Sequence, residues 1–76
     1  MEQRILSVLR NVLDDQSIDT TCSQQTCSKW DSMNHLNLVV ELEMEFCISL
    51  EPEEIGILVS YKAIKEIIYA KLHIDV

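Results

Sequence analysis

The sequence predicts an all-α protein, a four-helix bundle with a long loop after helix 1 and a short helix 3. Apolar residues recur three and four positions apart in the segments assigned to helices. One Gly and one Pro in 76 residues are too few for the many tight turns of a β-sandwich or barrel. Hydrophobic residues make up 47% of the chain, which suffices for folding. We therefore expect one small domain, residues 1–76, with a single modest core.

The charge balance restricts the classes of partner. Six Lys and Arg residues face 13 Asp and Glu residues, so the net charge is −7. Such a chain repels nucleic acid and anionic lipid and attracts basic protein surfaces. No apolar run is long enough to cross a bilayer, and residues 1–4 do not begin a signal peptide. With an odd number of cysteines as well, we expect a cytoplasmic protein with reduced thiols, no nucleic-acid partner and no membrane span. A monomer is the default expectation, and the oligomeric state is left open.

Helix 1 and the loop after it differ sharply in composition. The apolar spacing predicts helix 1 over roughly residues 2–14, and two aspartates end the pattern. Residues 15–31 are rich in Asp, Ser, Thr, Gln and Cys, and only Ile18 and Trp30 offer much to bury. A loop of this length in a small domain is uncommon and is often functional.

Helix 2, from Ser32 to about Cys47, has two apolar stripes. A surface helix in a small domain needs only one. The helix is therefore either packed on both sides, or it has one core face and one face for a partner, which is the more attractive reading in so short a chain. One stripe contains Leu38, Val39, Leu42 and Phe46, and the other contains Met33, Leu36, Val40, Met44 and Cys47, with Glu43 on their boundary.

Two more helices complete the chain. Pro52 suits the first position of helix 3, and two glutamates follow it where the helix dipole favours them. Gly56 weakens this short helix. Ser60 can cap helix 4, which we place at about residues 61–72. We expect the tail, residues 74–76, to fray.

The clearest place for chemistry is the Asp31-Ser32 step. Ser32 brings a hydroxyl to the mouth of helix 2, with a carboxylate before it and an apolar residue after it. A phosphate ester on this hydroxyl would lie near the unpaired N–H groups of the first helical turn, where the helix dipole favours negative charge.

These residues resemble the acyl carrier protein family. The family has an Asp-Ser-Leu-type step followed by a helix that ends in a Leu-Glu-x-Glu-Phe-like stretch. Residues 31–33 (Asp-Ser-Met) and 42–46 (Leu-Glu-Met-Glu-Phe) match these two motifs. The similarity extends to the helix before and to the two helices after, so it covers essentially the whole chain. It implies a four-helix bundle of acyl-carrier type.

The resemblance also implies a function. Acyl carrier proteins hold acyl or aminoacyl groups as thioesters on a 4′-phosphopantetheine arm that a phosphopantetheinyl transferase attaches to the serine. By position, Ser32 is the attachment residue and Asp31 helps to orient the transferase. The chain is then not itself an enzyme, and its further partners are an acyl or aminoacyl ligase and an acyltransferase or synthase. The residues implied at the partner surface are Met33, Leu36, Val40 and Glu43.

Departures from the family pattern bear on the pathway in which such a carrier would act. Carriers for fatty-acid synthesis usually have acidic residues where this chain has Asn34, Asn37 and Met44. Charge complementarity affects partner choice, so different partners are expected. Trp30 and His35 are more similar to stand-alone carriers of specialised pathways, and the Gly-Gly-x-Ser form of peptidyl carriers is absent. The resemblance thus implies a specialised biosynthetic pathway rather than primary fatty-acid synthesis.

Two other functions stay open. A small acidic helical adaptor could bind a partner helix or groove through the second stripe of helix 2. A small hydrolase using Ser32 and His35 is weaker, because no nucleophile elbow and no third orienting group can be identified. We favour a partly packed or surface role for His35, and packing beneath the loop for Trp30.

The cysteine pair has its own alternatives. Cys22 and Cys27 have Cys-x4-Cys spacing in a polar loop. A zinc site would need two more ligands, for which His35 and Cys47 are the nearby candidates in sequence. Two free thiols are the favoured interpretation, and the redox state of the pair is left open.

Overall fold

Four α-helices account for most of the chain. The computed structural model describes residues 2–72, so the expected fraying of residues 74–76 lies outside the described part. No strand occurs between residues 2 and 72, which confirms the all-α prediction with its long first loop and short third helix. The helices are α1 (Glu2–Leu13), α2 (Ser32–Phe46), α3 (Pro52–Ile57) and α4 (Tyr61–Lys71).

Polar side chains fix where the two longest later helices begin. The Asp31 side chain accepts a hydrogen bond from the Asn34 N–H and caps α2. Ser60 Oγ accepts from the Ala63 N–H at 3.1 Å, which confirms Ser60 as the cap of α4. At the other end of α2, Cys47 adopts the left-handed conformation with φ 53° and terminates the helix. Each cap satisfies backbone groups that have no partner within the helix.

The core forms where α1 packs against α2 and α4. The radius of gyration is 11.2 Å, close to the ~11.4 Å expected for a folded domain of this length. One stripe of α2 is buried and the other is exposed, as the sequence pattern allowed. The side chains of α2 that enter the core are Leu38, Val39, Leu42 and Phe46.

The long loop is ordered by local turns. The Asp15 carboxylate accepts hydrogen bonds from both the N–H and the hydroxyl of Ser17. Asp19 makes the same pair of bonds with Thr21. These turns lower the pKa of both aspartates, because each carboxylate is hydrogen-bonded in its charged form. The loop also buries Ile18 and Trp30 as predicted, and with them Cys22, which the sequence analysis did not place in the core.

The middle of the loop is attached to the start of α4. The Tyr61 N–H donates to the Cys22 carbonyl, and the Gln24 N–H donates to the Val59 carbonyl, both at 2.9 Å. Ser23 and Ser60 form an isolated antiparallel bridge between these two bonds. The loop therefore depends on α4 for its position as well as on the helices that flank it.

Three surface ion pairs connect the helices of the described region. All are at least partly exposed, so salt screens them. The pairs are Glu2 with Lys65 at 2.8 Å, Arg4 with Glu45 at 2.9 Å, and Glu54 with Lys71 at 2.7 Å.

Within residues 2–72, no helix has the length and apolar character needed to cross a membrane.

Candidate functional site

Ser32 lies at the surface as the first residue of α2. Its side chain is exposed, and its hydroxyl makes no hydrogen bond with any other residue between 2 and 72. A hydroxyl in this position is accessible to a modifying enzyme and can be esterified without breaking an existing contact.

Asp31 holds the backbone just before the serine in an extended conformation, with φ −96° and ψ −174°. Its Oδ1 accepts from the Asn34 N–H at 2.9 Å, and its carbonyl accepts from the His35 N–H at 2.8 Å. Asp31 is therefore the N-cap of α2, and Ser32 is the first helical residue. The predicted contact of Asp31 with a transferase stays a prediction, since its carboxylate already has this structural role.

Further hydrogen bonds brace the approach to the site. The Asn34 side-chain amide donates to the Lys29 carbonyl at 2.7 Å, and the Asp31 N–H donates to the same carbonyl at 3.0 Å. One step earlier, the Trp30 N–H donates to the Cys27 carbonyl at 2.9 Å. The end of the loop is thus fixed to the first turn of the helix that it enters.

A histidine connects the loop, α2 and α3. The buried Trp30 donates its indole N–H to Nδ1 of His35 at 3.0 Å. Nε2 of His35 lies 2.8 Å from the Ile55 carbonyl oxygen in α3. An indole N–H can only donate and a carbonyl oxygen can only accept. His35 is therefore a neutral imidazole with its proton on Nε2, and its ring bridges two elements on either side of α2.

This arrangement bears on the hydrolase alternative. A general base must come within about 2.6–3.2 Å of the hydroxyl that it activates. Both ring nitrogens of His35 are instead occupied by Trp30 and Ile55. The Ser32–His35 pair required by that alternative is not assembled here.

In the described part of the chain, no group of three or more His, Cys, Asp or Glu side chains comes together to hold a metal ion.

An exposed apolar face extends along α2 from the serine. We define the apolar face as Met33, Leu36, Val40 and Met44, with exposed fractions of 74%, 62%, 52% and 69%. These side chains make up most of the second stripe predicted from the sequence. Their exposure excludes the alternative in which other parts of residues 2–72 cover both sides of α2.

Glu43 differs from the other three residues predicted at the partner surface. The other three are exposed, whereas Glu43 is half-buried. Its Oε2 accepts a hydrogen bond from the Leu50 N–H at 2.9 Å. This bond ties the end of α2 to the segment that leads into α3. Contact between Glu43 and a partner stays a prediction, and any such contact would compete with the bond to Leu50.

An open groove of about 720 Å³ lies between α1 and α2. Its walls include Gln3, Ser7 and Asn11 on α1 and Asn37 and Val40 on α2. Val40 therefore borders both the groove and the apolar face. Both polar and apolar side chains line the groove, and it is open to solvent, so it is not an enclosed apolar tunnel.

Comparison with known proteins gives no match, either to the models of protein families or to curated proteins. Function is consequently inferred from residues 31–33 and 42–46, from the helix that contains them and from the exposure and hydrogen bonding of Ser32, Asp31 and the apolar face. Sequence reasoning identified Ser32, Asp31 and the apolar face. It missed the Trp30–His35 bond, for which the only signal was that an indole N–H needs a partner when it is buried.

Proposed function

We propose that this protein is an acyl carrier protein, with Ser32 as the attachment residue for 4′-phosphopantetheine. The observation that carries the proposal is the exposed Ser32 hydroxyl at the first position of α2. It directly follows the capping residue Asp31 and directly precedes Met33, which begins the apolar face. The motif resemblance of residues 31–33 and 42–46 adds support that is independent of this geometry.

The first turn of α2 fits a phosphate ester. The N–H groups of Ser32 and Met33 precede the first intrahelical hydrogen bond, and the positive end of the helix dipole lies there. Asp31 uses the next N–H, that of Asn34, and leaves these two for another acceptor. When bound, the arm supplies a thiol that holds acyl or aminoacyl groups as thioesters. The chain itself supplies the tether and the docking surface, and in this proposal it is not an enzyme.

The surface around Ser32 supports a carrier role with protein partners. Apolar side chains next to an attachment point offer a docking face, and methionine adapts to differently shaped partners. The net charge of −7 favours basic partner surfaces. We propose a phosphopantetheinyl transferase, an acyl or aminoacyl ligase, and an acyltransferase or synthase as partners. The uncharged Asn34, Asn37 and Met44 favour a specialised pathway over primary fatty-acid synthesis.

Intact mass spectrometry tests the proposal. The purified chain is incubated with coenzyme A and a phosphopantetheinyl transferase of broad specificity. We expect a mass gain of one phosphopantetheine, which Ser32→Ala abolishes. Ser28→Ala is the matched control, because Ser28 is an exposed serine in the loop just before α2 and its removal should not affect loading. Failure to load with several transferases, or loading that persists in Ser32→Ala, would overturn the assignment.

The exposed apolar side chains also favour a second candidate, the helical adaptor. Besides the apolar face, Ile57 and Val59 are 55% and 43% exposed. Contiguous exposed apolar surface on a small protein often marks a binding site. An adaptor would bind a partner helix equally well with Ser32→Ala and would lose that binding on Val40→Asp. Tight binding of this kind in a chain that cannot be loaded would favour the adaptor over the carrier.

A further inference from the structure

The thiols of Cys22 and Cys27 meet in the long loop. Their Sγ atoms are 2.6 Å apart, and both cysteines are free. A tight turn brings them together, because the N–H groups of Thr26 and Cys27 both donate to the Ser23 carbonyl, at 3.1 and 2.9 Å. The proximity is therefore built into the backbone of the turn.

A small cleft gives solvent access to the pair. It has a volume of about 280 Å³, and both cysteines contribute to its walls together with polar residues such as Asp15, Thr26 and Lys29. Cys22 is buried, whereas Cys27 is only half-buried. The third thiol, Cys47, is exposed at the end of α2 and is not part of this cleft.

We propose that Cys22 and Cys27 form a reversible dithiol–disulfide pair that reacts with small disulfides such as oxidised glutathione. The Cys27 thiolate attacks one sulfur of the small disulfide, a new S–S bond forms, and one small thiolate leaves. The Cys22 sulfur then attacks Cys27 Sγ and releases the second small thiolate. The two protons lost by the protein thiols end on the two released thiols, and the two electrons reduce the small disulfide.

The surroundings of the two sulfurs set the order of these steps. Burial, and then the contact with Cys27, raises the pKa of the Cys22 thiol to about 12, which makes Cys22 a poor first nucleophile. Cys27 is more accessible and reacts first. Once Cys27 is held in a mixed disulfide, its contribution to the raised pKa of Cys22 is gone. Cys22 then completes the reaction at short range.

A disulfide between Cys22 and Cys27 would join two points at which the loop is hydrogen-bonded to the rest of the fold. The Cys22 carbonyl accepts from the Tyr61 N–H of α4, and the Cys27 carbonyl accepts from the Trp30 N–H that leads into α2. Oxidation would therefore join covalently the parts of the loop that contact these two helices. This inference is independent of the carrier function, because it involves neither Ser32 nor a prosthetic group.

Alkylation after oxidation tests the inference. Reduced Ser32→Ala protein, which has no arm thiol, is treated with oxidised glutathione, quenched with acid, unfolded and alkylated with iodoacetamide. Three alkylations are expected before oxidation. After it, we expect neither Cys22 nor Cys27 to be alkylated, and the peptide that holds both to lose about two mass units for the two thiol hydrogens, whether the exposed Cys47 is alkylated or carries glutathione. Dithiothreitol should restore all three. Continued triple alkylation, or dimers through Cys47 as the main product, would overturn the proposal.

Single substitutions separate the two thiols. Cys22→Ala should accumulate one glutathione on Cys27, because no neighbouring thiol displaces it. Cys27→Ala should react with oxidised glutathione at position 22 about tenfold more slowly than the native pair reacts. Cys47→Ser is the matched control, which should form the link unchanged and does not depend on core packing. A lasting glutathione adduct in Cys47→Ser would contradict the proposal even if the other variants failed to fold.

Discussion

The indole N–H of Trp30 and Nδ1 of His35 form a hydrogen bond of 3.0 Å beneath the first turn of α2. Because His35 also bonds to the Ile55 carbonyl, a chain of two hydrogen bonds runs from the loop through α2 to α3. Ser32 is exposed and lies three residues before His35, on the same helical turn. The two hydrogen bonds of Trp30 and His35 therefore brace the turn that bears the residue we propose to be modified.

Removing this histidine should destabilise the fold. His35→Ala leaves the buried indole N–H of Trp30 without its acceptor, so we expect a loss of about 1–3 kcal/mol in the free energy of unfolding. Urea unfolding monitored by tryptophan fluorescence measures it. Glu41→Ala, at an exposed position of the same helix, should change stability by less than about 0.5 kcal/mol. A loss for His35→Ala no larger than that of the control would mean that the hydrogen bonds do not form in solution.

The aromatic ring of Phe46 tests which side of α2 faces the core. Phe46 is buried, and the Arg4 guanidinium lies 4.6 Å from its ring centroid. Phe46→Ala should therefore lower the free energy of unfolding by about 3–5 kcal/mol. The same truncation at the exposed Met44 should change it by less than about 0.5 kcal/mol. Urea titrations of both variants make the comparison, and a loss below about 1 kcal/mol for Phe46→Ala would place the ring outside the core.

Local pattern predicted much of this architecture. The two stripes of α2, the cap at Ser60 and the short α3 all follow from residue spacing and from the chemistry of helix ends. Contacts between distant segments left no such signal. The bridge of Ser23 to Ser60 depends on where the loop lies in three dimensions, so no periodicity could reveal it. Burial of Cys22 follows from the same attachment to α4.

The candidate site was predictable to a similar extent. The Asp31-Ser32 motif located the hydroxyl, and the apolar spacing located the exposed face. The sequence did not reveal that the Glu43 carboxylate accepts a hydrogen bond from the Leu50 N–H. A glutamate on a stripe boundary can point to a partner or to a nearby backbone N–H, and only the path of the following connection decides between them.

Alkaline pH should destabilise the reduced protein through Cys22. The pKa of this thiol is raised from 9.0 to about 12 in the folded state, first by burial and then by Cys27. The unfolded thiol ionises near pH 9, so the contribution to stability is complete below that pH and is lost as pH rises towards 12. Urea unfolding under reductant between about pH 8 and 10.5 should show this loss.

Other groups also titrate in this pH range, so the effect of Cys22 is isolated by comparing the pH profiles of variants. Cys22→Ala should show a smaller fall in stability with rising pH than the native chain does. Cys47→Ser, at an exposed thiol, should follow the native chain. Identical pH profiles for the native chain and Cys22→Ala would show that Cys22 is not buried in solution.

Acid should weaken the contact of α3 with α4. The pKa of Glu54 is lowered, first by its hydrogen bond with Lys71 and then by the Glu51 N–H. Its contribution is therefore present above the ordinary pKa of 4.5 and is lost as pH falls through the lower folded value. The Tm difference between the native chain and Glu54→Gln should shrink as pH is lowered through this range. Glu53→Gln, at an exposed neighbour, should show no such trend, and a parallel trend in both variants would refute the pairing.

The apolar face should be needed for the loading of Ser32 by a transferase and not for folding. Met33→Asp and Val40→Asp place a charge where an enzyme would dock against uncharged side chains, so we expect the rate of loading at Ser32 to fall about tenfold or more. Both side chains are more than half exposed, and far-UV circular dichroism should therefore be unchanged. Ala70→Asp introduces the same charge at an exposed position of α4 and should load normally. Unfolding of either α2 variant would show that this face belongs to the core, and normal loading of both would show that the transferase docks elsewhere.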